Sequence, residues 1–187
     1  MSHEQLGKNE EYGGLLQKIA GGDEAALEDF YKAFEPRIFA FAKIRLNDFH
    51  ESADLLNEVM LEVWRSAGRF EGRSTVTTWV FGIAHHKVVD RLRKKGKHQW
   101  EELESAESVE SDQDLEEMLT QTQVGEHIHW CMEKLSDEQR QVVHLAFFED
   151  LSYREVGTIM GSPEGTIKAR MFHAKKALKR CLSRRIK

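Results

Sequence analysis

Apolar side chains recur along this chain at three- and four-residue intervals, and runs that alternate Val, Ile, Thr and Tyr in strand fashion are hard to find, so the pattern predicts an all-α protein. The plainest stripe is Leu56, Val59, Met60, Val63 and Trp64, spaced to line one face of a helix. Asp54, Asn57, Glu58, Leu61 and Glu62 fall on the opposite face. A second stripe, Val76, Trp79, Val80, Ile83, Ala84, Val88 and Leu92, predicts a helix with Ser74 as its N-cap. Between the two lies Ala67 to Arg73, a loop with two glycines, Phe70 and two arginines. Apolar segments around Leu15 to Ile19, Ala25 to Phe34 and Ile38 to Leu46 complete a small bundle.

The C-terminal third carries sharper local signals. Ser152 with Glu155 three residues on forms a capping box, and Leu151 and Val156 are placed for a hydrophobic staple, which fixes a helix start. That helix ends at Met160 with Gly161 as a left-handed cap, and Ser162 and Pro163 supply the N-cap and first position of the next. Helix, short turn, helix is the helix-turn-helix arrangement, whose second helix enters a major groove. At about 100° per residue, Ile167, Met171, Ala174 and Leu178 of that second helix face a core. Gly165, Ala169, Phe172, His173, Lys176 and Arg180 face away, with Thr166 and Lys168 flanking. An exposed Phe172 beside small residues and cations suits a thymine methyl or a base edge; the alternative is that Phe172 packs elsewhere in its own domain.

Composition divides the chain. Of its 187 residues, 40% are hydrophobic, enough for one or two compact domains. The net charge of −5 is unevenly placed: residues 1–96 hold 14 basic and 15 acidic side chains, 97–120 hold 1 and 9, and 121–187 hold 12 and 8. Residues 97–123 therefore read as a flexible acidic linker, too poor in aliphatic side chains to repay ordering. Two helical domains remain, 12–96 and 124–187. Each carries a basic cluster: Lys87, Arg91, Arg93, Lys94 and Lys95 in the first, continued by Lys97 at the start of the linker, and nine cations with no acid from Gly165 to Lys187 in the second. Two separated basic surfaces suit duplex DNA, although solvated helix ends would look the same on charge alone. The first eleven residues show no signal-peptide pattern, and no apolar run approaches the roughly 18 residues a bilayer requires, so no membrane insertion and a cytoplasmic location are expected. Cys131 and Cys181 are too few and too isolated to suggest a disulfide framework, in keeping with a reducing compartment.

Three segments resemble, in order, the extracytoplasmic-function sigma factors, the smallest class of the bacterial sigma-70 family. Asp54 to Trp64 looks like the family's polymerase-gripping helix. Arg69-Phe70-Glu71-Gly72-Arg73-Ser74, continued by Thr78-Trp79-Val80 and Ile83-Ala84, looks like its promoter-melting segment. Leu151-Ser152-Tyr153 with Gly165-Thr166-Ile167-Lys168-Ala169-Arg170 looks like its C-terminal helix-turn-helix. The resemblance implies sigma domain 2 over 12–96 and sigma domain 4 over 124–187. Asp54, Asn57, Glu58 and Leu61 would then meet the β′ coiled coil of core RNA polymerase, and the β flap would take domain 4. Phe70, Arg73, Ser74, Trp79, His86, Lys87, Arg91 and Arg93 would serve the minus-ten element: a base flipped from the nontemplate strand enters the loop and the cations hold phosphates. Arg154, Thr166, Lys168, Ala169, Arg170, Phe172, His173 and Lys176 would read the minus-thirty-five element as duplex. An anti-sigma partner and promoter-specific initiation, with no cofactor and no reaction of its own, are implied likewise. Asn57 stands where the family usually has Gln, and His86 where it commonly has Asn.

Other readings are open on sequence alone. His127, His129 and Cys131 are good zinc ligands, but on a helix His129 points away from the other two. No nucleophile elbow, phosphate loop or paired-His motif supports a hydrolase. A free-standing helix-turn-helix repressor or activator would bind a palindrome as a dimer without polymerase, and a helical interaction scaffold would tolerate loss of both basic clusters.

Overall fold

A computed structural model describes residues 3–102 and 123–185, and the described residues form helices and turns with no strand. The first unit contains α1 (His3–Ala20), α2 (Glu24–Leu46), α3 (Phe49–Ser66) and α4 (Val76–Glu102). Asp23 and Asp48 cap α2 and α3 by accepting the amide hydrogens of Ala26 and Glu51. The two apolar segments on either side of Pro36 are one helix, because Phe30, Phe34, Ile38 and Phe41 stay on one buried face across the proline. The α3 stripe is inside as expected, with Leu56, Val59, Met60 and Val63 buried and Trp64 half-buried, while Asp54, Asn57, Glu58 and Leu61 are exposed.

The second unit contains α5 (Gln123–Glu133), α6 (Asp137–Val143), α7 (Tyr153–Met160) and α8 (Glu164–Arg185), with a π-helical turn His144–Phe148 after α6. The Ser152 and Glu155 capping box forms with both reciprocal bonds, and Gly161 ends α7 at φ 59°. Gly157 has a separate reason: a Cβ there would lie 2.6 Å from the Ser162 carbonyl oxygen, so the turn can cross α7 only over a glycine.

Local details depart from the sequence expectations. The α4 cap is Thr75, not Ser74: Thr75 Oγ1 accepts the Thr78 amide at 3.1 Å, while Ser74 Oγ turns to the Thr75 carbonyl. Ser162 does not cap α8; its Oγ faces the Met160 carbonyl and receives Arg170, and the Pro163 carbonyl accepts the first helical bond. The expected linker 97–123 overlaps α4 and α5 at its ends, and its residues 103–122 lie outside the described residues. Cys131 and Cys181 are joined in a disulfide that ties α5 to α8. Isolated spacing gave no hint of it, because the pairing depends on two helices crossing 50 residues apart in sequence.

The units are packed together, and one buried core runs through both. Arg37 of α2 reaches Glu149, Arg140 donates to the Ile44 carbonyl at 3.2 Å, and His85 of α4 faces Gln141. Glu155 of α7 accepts hydrogen bonds from Thr75 and Thr78 at the start of α4.

Candidate nucleic-acid interface

The loop between α3 and α4 leaves α3 through a 3-10 turn, Ala67–Arg69, closed by the Phe70 amide on the Ala67 carbonyl. Phe70 then lies against Trp79, ring centroids 5.3 Å apart and tilted by 53°, so two half-buried aromatics from either side of the loop form one platform. A base stacked there would gain about 1–3 kcal/mol. Arg73 projects from the loop, exposed and paired with Glu71 at 2.7 Å. On α4, His86 is exposed and its Nδ1 lies 2.7 Å from the Gly82 carbonyl oxygen. A carbonyl only accepts, so Nδ1 carries the hydrogen in this contact.

The predicted phosphate contacts on α4 do not form one set. Arg91 donates to the Glu51 carbonyl at 2.8 Å and to Glu58 at 2.6 Å, and Lys87 lies 3.9 Å from the same carboxylate. Both are therefore held against α3, and Glu58, assigned by sequence to polymerase contact, is shared with them. Arg93 is open to solvent beside Asp90. Asp54, Asn57 and Leu61 form the exposed remainder of the α3 face.

On α8, Ile167, Met171 and Ala174 are buried and Phe172 is 64% exposed, which removes the alternative that Phe172 packs into its own domain. Thr166, Ala169, His173 and Lys176 are exposed around it, and the Phe172 and His173 rings meet edge to face. Lys168 is paired with Glu164 at 2.7 Å. Arg170 is half-buried and donates to Ser162 Oγ at 3.3 Å, so it braces the turn instead of standing free in the exposed row. Arg154 is exposed on α7. A groove of about 740 Å³ opens on this unit, lined among others by Ile128, Met132, Phe148, Met171 and Leu178, with Phe147 exposed at its edge.

Of the sequence-predicted residues, Phe70, Arg73, Trp79 and His86 lie at the loop and α4, Phe172 and its exposed neighbours on α8, Arg154 on α7, and Asp54, Asn57 and Leu61 on α3. Sequence reasoning missed the groups that join the units. Glu155 keeps both bonds to Ser152 while taking the hydroxyls of Thr75 and Thr78, next to Ser74 and Trp79. Burial pushes its pKa up, but those hydrogen bonds outweigh it and hold the carboxyl below the usual range. His85 shifts downward, chiefly from burial and then from nearby Arg45, against the hydrogen bond it gives Gln141. No sequence signal marks Arg37, Glu149, His85 or Gln141 as partners. Among the described residues no group of His, Cys, Asp and Glu could hold a metal ion. No described helix is long and apolar enough to cross a membrane.

Residues 30–98 match the family model Sigma-70 region 2, and residues 131–180 match Sigma-70, region 4. The extracytoplasmic-function RNA polymerase sigma factor SigK of Mycobacterium tuberculosis is 32% identical over 171 residues, covering 90% of this chain and 91% of that protein. The chain belongs to the extracytoplasmic-function sigma factors of the sigma-70 family. SigK of Mycobacterium ulcerans is 30% identical to this sigma factor, over 94% of this chain and 96% of its own. Among solved structures, the sigma factor RpoE of Bartonella quintana, crystallised with the anti-sigma factor NepR, shares the fold with a TM-score of 0.63 at 24% identity, covering 83% of this chain and 98% of that one. CnrH, solved with the cytosolic domain of CnrY, does so with the same TM-score at 16% identity, over 91% and 96%. The two matched regions contain the aromatic platform and the exposed face of α8 respectively, so each surface built above lies in its own region of this sigma factor.

Proposed function

We propose that this sigma factor binds core RNA polymerase in the cytoplasm and directs initiation at promoters it selects through two separate readers, performing no reaction itself. The exposed α3 residues Asp54, Asn57 and Leu61, with Glu58, meet the β′ coiled coil, and the apolar groove of the second unit receives the β flap. Phe70 and Trp79 stack on the opened nontemplate strand, with Ser74 and His86 at the base and Arg73 and Arg93 on phosphates. Lys87 and Arg91 act on this reader from behind, by bracing α4 against α3. Phe172 and Ala169 approach base edges of the minus-thirty-five duplex, while Arg154, Thr166, Lys168, His173 and Lys176 supply groove and phosphate contacts and Arg170 holds the turn.

The observation that carries this reading is the division of α8 into a buried side and an opposite side with an exposed phenylalanine among small and cationic residues, immediately after a capped three-residue turn. The complex of RpoE with the anti-sigma factor NepR supports an anti-sigma protein as the regulator here too. Run-off transcription with purified core polymerase tests the whole: specific transcripts are expected only when both components are present. Failure to associate with core, or unaided binding of an operator as a stable dimer, refutes it.

A further inference from the structure

The start of α4 is held by an element that lies outside the matched family segment, which begins at residue 30. The first amide hydrogens of any helix lack intrahelical partners. In α4, Thr75 Oγ1 takes the Thr78 amide and the Thr75 carbonyl takes that of Trp79. The Val76 amide is taken from a distance of 67 residues, by Asn9 Oδ1 at 2.8 Å. Asn9 sits on α1, which is anchored by buried Leu16 and Ile19 and by Tyr12, whose ring lies 4.8 Å from that of Phe34.

The other end of α1 meets the other end of the same loop. A Cβ placed on Gly68, in the 3-10 turn where the loop begins, would lie 3.7 Å from Ala20 Cβ at the last residue of α1. One helix therefore touches both the entry of the loop at Gly68 and its exit at Val76. Phe70, Arg73 and Ser74 lie between those two points. Fixing both ends of a loop removes conformations that a ligand would otherwise have to select against, and raises affinity without adding a contact to the ligand.

We propose that Asn9 is a positioning residue of the minus-ten reader, its side-chain carbonyl fixing the first turn of α4 and, through it, the loop that receives the opened strand. The proposal rests on the minus-ten assignment above. The test uses holoenzyme assembled from the full chain and core polymerase. Its probe is a fluorescent single-stranded oligonucleotide carrying the nontemplate minus-ten sequence of a promoter that the holoenzyme transcribes. Asn9→Ala weakens binding of that probe about fivefold, the scale of losing one helix cap. Asn9→Asp, whose carboxylate accepts the same amide hydrogen and suits a helix N-terminus, stays close to the parent. Affinity for core polymerase is unchanged in both variants. The proposal is overturned if Asn9→Ala binds the probe normally, if probe and core affinities fall together, or if Asn9→Asp is no better than Asn9→Ala. Trp79→Ala separates the two levels of inference. If it leaves probe binding intact, the minus-ten assignment falls and the role of Asn9 with it. If Trp79→Ala weakens binding and Asn9→Ala does not, only the role of Asn9 is lost.

Discussion

The Glu149 side chain is 3% exposed, and one of its oxygens receives both Nε and a terminal nitrogen of Arg37, at 2.8 and 2.6 Å, from the other unit. Arg37 itself lies over Phe34 and Phe81, 4.8 and 5.7 Å from the ring centroids. Glu149→Gln keeps the shape and removes the charge. The lost charge-assisted bonding is worth about 2 kcal/mol, within the usual range for hydrogen bonds to charged groups and below the cost of breaking a fully buried pair, because Arg37 keeps 26% of its surface in water. The loss falls on the contact between units, since Arg37 and Glu149 come from different ones and both are hydrated when the units part. At about 1.4 kcal/mol per decade, the ratio of separated to packed forms rises roughly 30-fold. Fluorescence energy transfer between dyes on the exposed faces of α3 and α8 reads that ratio directly. If Glu149→Gln leaves transfer efficiency unchanged while Arg37→Ala lowers it, the ion pair is not what holds the units and the reasoning fails.

Three further outcomes follow from the same geometry. Phe172→Ala, made at an exposed position, leaves the melting temperature of the protein unchanged and weakens minus-thirty-five duplex binding by holoenzyme by about 1–3 kcal/mol. Replacing Cys131 and Cys181 together with Ala lowers the stability of the second unit by up to about 4 kcal/mol, the chain-entropy value for a loop of 50 residues; denaturant titration of both proteins measures it. Burial and Arg45 hold His85 below its ordinary value of 6.5, so its contribution to the packed form is complete above that pH and declines as pH falls below it. In His85→Gln the pH slope of stability below about 6.5 is smaller than in the parent, and an unchanged slope assigns the acid sensitivity elsewhere.

What sequence could reveal here was whatever is encoded within about one helical turn. The α3 stripe, the Ser152 and Glu155 box and the Gly161 cap are each relations among neighbours, and each forms as read. Errors of one residue arose where two good caps stood side by side, at Ser74 and Thr75, because the choice is made by where the chain enters the helix and not by the cap residue. The exposed state of Phe172 followed from periodicity alone, whereas the pairing of Lys87 and Arg91 with Glu58 did not. A basic cluster on one helix says nothing about a carboxylate on the next, and Glu58 claims both cations. The Cys131 to Cys181 link and the Asn9 to Val76 bond span 50 and 67 residues and have no local signature.

The contact between units is built so that most of its polar groups lose little when it opens. Glu155 gives up Thr75 and Thr78 but keeps Ser152, whose amide and hydroxyl it already satisfies. Thr75 keeps the Thr78 amide, and Arg140 keeps the Glu133 and Leu135 carbonyls after leaving Ile44. Arg37 and Glu149 differ: His144 Nε2 lies 3.4 Å from Glu149 but is not aligned for a hydrogen bond, so Arg37 is the carboxylate's strong ligand across the contact. In the packed form the Glu155 carboxylate also sits at the start of α4, where an approaching phosphate would be repelled. On the proposed minus-ten assignment, an incoming strand and α7 would compete for one end of α4, and the apparent affinity for DNA would be the intrinsic affinity scaled by the fraction of protein whose units have separated. Any partner that binds the separated form better raises that fraction by its own preference and by no more.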